Sequence, residues 1–176
     1  CPLNLAPTAS TTATLAMGDA LAVALLKLRG FTAEDFAMSH PSGSLGKRLL
    51  LRVADVMRTG AEIPKVTPDV LLSEGLLEMT QKGLGTTAIV DERDIVLGIF
   101  TDGDLRRALD HDIDLHKTPI DEVMTRNPTL ISPGLLAAEA LQIMDAGKFN
   151  ALLVVDADQR LIGALNMHDL LRAGVV

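Results

Sequence analysis

The chain has 176 residues, of which 48% are hydrophobic and 22% are charged, and its formal net charge is −7; this composition is typical of a soluble globular chain with one ordinary domain or two small ones. Its aromatic residues are four Phe, which excludes a base-stacking surface of several aromatic side chains, and the negative charge argues against nucleic-acid partners. The single cysteine excludes an intrachain disulfide framework; this fits a reducing compartment, and we expect a cytoplasmic protein.

The first predicted element is a long helix that starts near Thr8 or Ser10 and ends at Gly30, since glycine commonly follows the last helical residue. Within it, residues 15–26 are strongly apolar apart from Asp19. This stretch is too short to span a bilayer, so we expect a buried helix and no membrane association. No signal-peptide pattern precedes it, and because the chain does not begin with Met we interpret it as a fragment of a longer protein.

A second helix is predicted directly after the first. Thr32 is the expected N-cap, and Asp35 lies three residues further on, as in a capping box. The helix ends by Pro41, and the segment 42–46, Ser-Gly-Ser-Leu-Gly, is typical of a bend. The sequence therefore places a domain boundary near residues 46–50.

The rest of the chain is an internal repeat. Shifted by 65 positions, residues 66–109 align without a gap to residues 131–174, and identical pairs include Pro68/Pro133, Glu74/Glu139, Met79/Met144, Gly98/Gly163, Asp104/Asp169 and Arg107/Arg172. Upstream of the alignment, Val56-Met57 matches Val123-Met124 at an offset of 67. Two copies are too few for a solenoid and indicate a pseudo-symmetric pair.

Each copy shows the order helix, strand, helix, strand, strand, helix. The short opening helix of the second copy is expected to have Thr118 as its cap and Pro119 as its first residue. In the first copy, periodicity predicts strands at 65–66, 87–90 and 95–101, a helix at 70–82 and a last helix from Asp102. In the second copy it predicts strands at 130–131, 152–155 and 161–166, a helix at 135–146 and a last helix from Met167. Short apolar strands between helices predict an α/β (α+β) fold in which helices pack against small sheets.

The segment 98–105, Gly-Ile-Phe-Thr-Asp-Gly-Asp-Leu, is the clearest local indication of a ligand-binding site. A strand ends at the Thr101 hydroxyl, and the helix that follows carries the Asp104 carboxylate. Free N–H groups at a helix N-terminus favour phosphate, and a carboxylate can accept hydrogen bonds from two ribose hydroxyls. The alternative is that Thr101 and Asp104 only cap the helix, and this segment alone does not decide between the two.

The second copy repeats this arrangement with one change. It keeps the carboxylate as Asp169 but has the amide of Asn166 in place of the hydroxyl, and His168 stands beside the expected cleft. Recurrence at the same place in two copies makes pure capping the weaker interpretation. Asn166, His168 and Asp169 are therefore candidate ligand contacts, and we expect the first copy to contribute more to phosphate recognition.

These segments resemble the motif G-[IV]-[VIF]-[TS]-x-x-D that closes the second strand of cystathionine-β-synthase (CBS) domains. The resemblance covers about residues 50–176, and it implies two CBS domains, 47–112 and 113–176, packed head to tail as a tandem pair, or Bateman module. Nucleotide ligands lie in the clefts of such pairs. By this resemblance Thr101 would contact phosphate, and Asp104 and Asp169 would contact ribose.

The front of the chain resembles the end of the sugar isomerase (SIS) domain in arabinose-5-phosphate isomerases. The similar segments are 6–13 (APTASTTA), 17–22 (MGDALA) and 36–41 (FAMSHP), so residues 1–46 would be a remnant of that domain. These enzymes convert ribulose 5-phosphate to arabinose 5-phosphate, toward the sugar Kdo of lipopolysaccharide or capsule. A lone His before Pro is more often structural, but the resemblance implies that His40 is catalytic, opening the sugar ring or moving a proton.

The resemblance also implies what the chain binds. A sugar phosphate would be the substrate of the parent enzyme, and a regulatory nucleotide, either CMP-Kdo or an adenine nucleotide, would occupy the CBS cleft. We expect no required cofactor, no metal site, and a homo-oligomer, a dimer or a tetramer. The chain alone is expected to be inactive, because the family's general base lies upstream. Two alternatives stay open: a CBS sensor of another enzyme or transporter, and an assembly module.

Overall fold

The computed structural model describes residues 6–32, 35 and 50–175. Helix α1 spans Ala9–Arg29 and ends at Gly30, whose φ of 61° is left-handed, as predicted. The expectation that this helix is buried is wrong for this chain: no residue of α1 is buried, because no other described segment covers it. It is also the one helix among the described residues that is long and apolar enough to cross a membrane, by length and composition only.

The capping pair after α1 forms as predicted. Both the N–H and the hydroxyl of Thr32 donate to Asp35 Oδ2, at 2.9 and 2.8 Å, and the Asp35 N–H donates to the Thr32 hydroxyl at 3.2 Å. His40, the rest of the predicted second helix and the bend at 42–46 lie outside the described residues.

The repeat folds into two similar units. The first consists of α2 (Val53–Val56), β1 (Lys65–Val66), α3 (Leu72–Lys82), β2 (Thr86–Val90), β3 (Val96–Thr101) and α4 (Asp102–Asp110). The second consists of β4 (Thr125–Arg126), β5 (Leu130–Ile131), α5 (Ala137–Gly147), β6 (Ala151–Val155), β7 (Leu161–Asn166) and α6 (Met167–Arg172). Most predicted elements begin and end within about two residues of these bounds.

Two details differ from the prediction. The second copy opens with a single 3-10 turn, Ile120–Glu122, and its cap position is Pro119 rather than Thr118. The Thr118 carbonyl accepts a hydrogen bond from the Leu72 N–H at 2.9 Å. Strand β4 was not predicted; it is only two residues long and exists because it pairs with β3 of the first copy.

Within the chain, the opening segment of each copy packs against the other copy. Sheet one has the order β1-β2-β3-β4, so a strand of the second copy completes the sheet of the first, while sheet two has the order β5-β6-β7. Conversely, Val53 of the first copy is buried in the core of the second, and Ile120 of the second is buried in the core of the first. Apolar residues of the two sheets, among them Ala88, Val90, Leu153 and Ala164, form a third core cluster between the copies. This packing places the start of each copy's last helix beside the other copy.

Candidate functional site

The end of β3 and the start of α4 form one wall of a cavity of about 430 Å³, which we call the first cleft. The opposite wall comes from the second copy, at the turn between α5 and β6. Residues that line the first cleft include Thr86, Thr101, Asp102, Gly103, Asp104, Arg107, Thr125, Lys148, Phe149 and Asn150. A volume in this range is typical of small-molecule sites.

Thr101 and Asp104 form a capping box at the start of α4. The Thr101 N–H and hydroxyl donate to Asp104 Oδ2 at 2.9 and 2.6 Å, and the Asp104 N–H donates to the Thr101 hydroxyl at 3.3 Å. Thr101 and Asp104 therefore cap the helix as one of the two interpretations predicts, and both residues also line the cleft.

The second oxygen of Asp104 has two further partners. Its Oδ1 accepts hydrogen bonds from the Thr125 hydroxyl, at 2.8 Å, and from the Arg107 guanidinium. Burial of this carboxylate, which is only 5% exposed, acts to raise its pKa, but the hydrogen bonds from Thr101, Thr125 and Arg107 outweigh burial and lower the pKa. Asp104 is therefore an ionised, pre-oriented acceptor at the edge of the cleft.

The opposite wall supplies a cation and an aromatic ring. Lys148 follows α5 with a φ of 54°, in the left-handed conformation, at the position where the first copy has Gly83. Phe149 is next in the chain and is 40% exposed. A flat apolar ring can stack on a nucleobase, and the Lys148 ammonium and the α4 N-terminus can attract a phosphate.

The equivalent cavity on the other side, the second cleft, has a volume of about 420 Å³ and is lined by Arg58, Ala61, Glu62, Gln81, Lys82, Asp169 and Arg172. Asp169 takes part in the same capping box, here with Asn166: the Asn166 N–H donates to Asp169 Oδ2 and the Asp169 N–H donates to Asn166 Oδ1, both at 3.0 Å. The guanidinium of Arg58 also forms an ion pair with Asp169, at 3.1 Å.

The structure separates the predicted site residues. Thr101 and Asp104 lie together in the first cleft, and Asp169 lines the second. Asn166 caps α6 and His168 is exposed, and neither belongs to the lining of the second cleft. His40 lies outside the described residues.

Sequence reasoning missed Thr125 and Arg58, the two residues that reach the cleft carboxylates from the other copy. Each directly follows a Val-Met pair, at 56–57 and 123–124. The repeat offset of 67 could therefore have marked them as equivalent. Their contact with Asp104 and Asp169 could not be found that way, because it depends on the exchange of opening segments. Among residues 6–32, 35 and 50–175, no group of three His, Cys, Asp or Glu side chains could hold a metal ion.

Comparison with known families identifies the repeat. The profile of the CBS domain matches residues 53–111 and 120–176. Each match covers one copy, including its opening segment.

Similar proteins are found among curated bacterial enzymes. The chain is 62% identical over all 176 residues to arabinose 5-phosphate isomerase KdsD of Pseudomonas aeruginosa, and 60% identical to the enzyme of the same name from Yersinia pestis. These alignments cover 54% and 53% of the two relatives, so the chain spans about half the length of the curated relatives it matches.

Solved structures share the fold. The crystal structure of CBSX2 in complex with AMP superposes with a TM-score of 0.61 at 24% identity, over 71% of this chain and 96% of that one. The CBS domain pair of protein MJ0100, in complex with 5′-methylthioadenosine and S-adenosyl-L-methionine, gives a TM-score of 0.62 at 23% identity, over 69% and 97%. At identities of 24% and 23%, this similarity shows a shared fold and nothing more.

Proposed function

We propose a function for this chain, which belongs to the CBS domain family. It is the regulatory part of an arabinose-5-phosphate isomerase, and its first cleft binds a nucleotide. The observation that carries the proposal is the Thr101–Asp104 pair, which lies at the start of a helix and faces Lys148 and Phe149 across a cavity of about 430 Å³. These groups offer a ribose acceptor, phosphate donors and a stacking surface in one place.

The isomerase assignment is supported by the relatives. The alignments to them, at 62% and 60% identity overall, cover the whole of this chain and so include residues 1–46. We therefore assign residues 1–46 to the end of a SIS domain, and 47–112 and 113–176 to the two CBS domains. In the whole protein the substrate would be a sugar phosphate, with His40 in the catalytic site.

The ligand class is a nucleotide or a nucleotide-activated sugar. Adenine nucleotides are supported by CBS pairs of the same fold that were solved with AMP and with S-adenosyl-L-methionine. CMP-Kdo is the second candidate, because an activated product of the proposed pathway would be a suitable feedback signal. Either ligand would direct its ribose hydroxyls to Asp104 and its phosphate to the α4 N-terminus, where the Thr101 hydroxyl would turn from Asp104 Oδ2 to donate to the phosphate.

The test begins with a thermal-shift screen of the chain against AMP, ADP, ATP, CMP and CMP-Kdo. A ligand present at 100 times its Kd should add about 2.7 kcal/mol to the free energy of unfolding. Isothermal titration of that ligand then compares the wild type with two variants. Asp104→Ala should raise Kd about ten- to hundred-fold, and Thr101→Val somewhat less, because each loses a hydrogen bond to the ligand.

The control variant is Asp110→Ala, which removes an exposed carboxylate from the far end of the same helix. It should bind as the wild type does. Equal affinity in the wild type and the two cleft variants would contradict the nucleotide site. Failure of all five ligands to bind would favour a purely structural role for the CBS pair.

A further inference from the structure

We infer that only one of the two clefts in each chain accepts a nucleotide. In the second cleft the Arg58 side chain is bound to the Asp169 carboxylate, the group that would otherwise bind ribose. This inference rests on the proposed function of the first cleft. It makes Arg58 the residue that determines the number of nucleotides bound per chain.

Arg58 and Thr125 occupy equivalent backbone positions. Thr125 lies in β4 opposite Ile99 of β3. Arg58 pairs in the same way with Ala164 of β7, with N–H to carbonyl distances of 2.8 and 3.1 Å. Ala164 is the repeat equivalent of Ile99 at the offset of 65. Each residue therefore reaches the cleft of the other copy from the same direction.

The Thr125 and Arg58 side chains make different numbers of hydrogen bonds to the cleft carboxylates. Thr125 donates a single hydroxyl hydrogen bond to Asp104. Arg58 covers both oxygens of Asp169: Nε lies 3.3 Å from Oδ1 and 3.2 Å from Oδ2, and Nη2 lies 3.1 Å from Oδ1. A guanidinium in this fork arrangement presents its donors where two ribose hydroxyls would otherwise bind.

The competing cations also differ in how firmly they are held. In the first cleft the cation on the buried Asp104 is Arg107, whose own side chain is 67% exposed; because its guanidinium can return to solvent, a ribose can displace it. In the second cleft the Arg58 side chain is 22% exposed and is also anchored by a hydrogen bond from Nη1 to the Lys82 carbonyl, at 2.7 Å. Displacing Arg58 would break four hydrogen bonds and leave a partly buried charge unpaired.

The experiment is isothermal titration of the chain with AMP, and with CMP in parallel, to measure the number of sites per chain. The wild type should bind one nucleotide, Asp104→Ala should bind it with a Kd about ten- to hundred-fold higher, and Asp169→Ala should leave both affinity and stoichiometry as in the wild type. Arg58→Thr gives Asp169 the neighbour that Asp104 has, and it should add a second site, so that the stoichiometry rises toward two.

The outcomes separate the inference from the proposed function. Two sites in the wild type, or one site of undiminished affinity in Asp104→Ala, would overturn the inference while leaving nucleotide binding intact. A single site in a folded Arg58→Thr variant would also overturn it, because Arg58 would then not be what closes the cleft. No binding by the wild type but one site in Arg58→Thr would remove the proposed first-cleft function and support the role of Arg58. No binding by either protein would remove both.

Discussion

The Asp104 carboxylate has a structural role in the capping box, and the proposed nucleotide site gives the same carboxylate a ligand-binding role. Its Oδ2 completes the capping box with Thr101, and its Oδ1 faces Thr125 and Arg107 at the cleft. From the sequence the two roles were alternatives. The capping hydrogen bonds fix the orientation of the carboxylate and leave its Oδ1 at the cleft, so the two roles are compatible.

Asp104 should make the stability of the fold depend on pH in the acid range. Hydrogen bonding holds its folded-state pKa below the usual value, so its charge contributes stability above the unfolded pKa of about 4, and the contribution is lost as pH falls through the folded pKa. Asp104→Asn should therefore lower the free energy of unfolding at pH 7 by on the order of 1 kcal/mol. The difference from the wild type should shrink in urea unfolding at pH 3, whereas a difference that is constant with pH would contradict this account.

Lys148 adopts a backbone conformation that suits glycine. Its φ of 54° matches the 62° of Gly83, the equivalent residue of the first copy. A left-handed residue that carries a Cβ is strained, so Lys148→Gly should raise the free energy of unfolding by roughly 0.5–1 kcal/mol. Gly83→Lys is the matched reverse change and should lower it by a similar amount. The same sign for both changes in chemical unfolding would show that backbone conformation does not decide stability here.

At the scale of elements, the exchanged opening segments depend on close packing at two equivalent glycines. A Cβ on Gly98 would overlap Met124 Sδ and approach the Thr125 carbonyl to 3.0 Å, and a Cβ on Gly163 would meet Met57 and Arg58 in the same way. Each glycine therefore lets the methionine of the other copy pack closely enough for the next residue, Thr125 or Arg58, to pair with the strand.

Gly98→Ala should lower the free energy of unfolding by about 1–3 kcal/mol, because the extra methyl group forces β4 away from β3. Gly163→Ala should have a comparable effect. Gly134→Ala is the control, since no atom lies within 4 Å of its added Cβ. Urea unfolding of the three variants measures this, and equal stability of Gly98→Ala and Gly134→Ala would show that the contact does not matter.

The repeat and its helical and strand periods predicted nearly every element of the CBS pair, because each helix and strand has an apolar pattern of its own. Strand β4 could not be predicted, because Thr125 and Arg126 form a strand only through pairing with β3. The same applies to the site: Thr101 and Asp104 lie in one local motif, whereas Arg58, Thr125 and Phe149 reach the clefts through tertiary packing. The prediction that α1 is buried was wrong, because an apolar sequence indicates that a helix packs against something but does not show that the packing partner lies in the same chain.

At the scale of the whole molecule, α1 exposes apolar side chains that no other described segment covers. Leu15, Met17, Leu21 and Leu28 are each more than half exposed. Exposed apolar surface of this extent is typical of an interaction site. We expect two or more copies of the isolated chain to cover these side chains by associating through α1.

Sedimentation velocity tests this association. The wild-type chain should sediment as a dimer or larger species, and the double variant Leu21→Glu/Leu28→Glu as the 18.7 kDa monomer. Leu171→Glu alters an exposed leucine on α6 and serves as the control, which should sediment as the wild type does. A monomeric wild-type chain would contradict association through α1.

Occupancy of the first cleft is proposed to regulate an isomerase, and the rate of the whole enzyme is the decisive measurement. The measurement is the conversion of ribulose 5-phosphate to arabinose 5-phosphate as a function of the concentration of the nucleotide that the screen identifies. In the wild type the rate should change with nucleotide concentration over the range set by its Kd. In Asp104→Ala the basal rate should persist, and the response should shift to concentrations about ten- to hundred-fold higher. A rate that does not respond to the bound nucleotide in the wild type, or an identical response in Asp104→Ala, would contradict the claim.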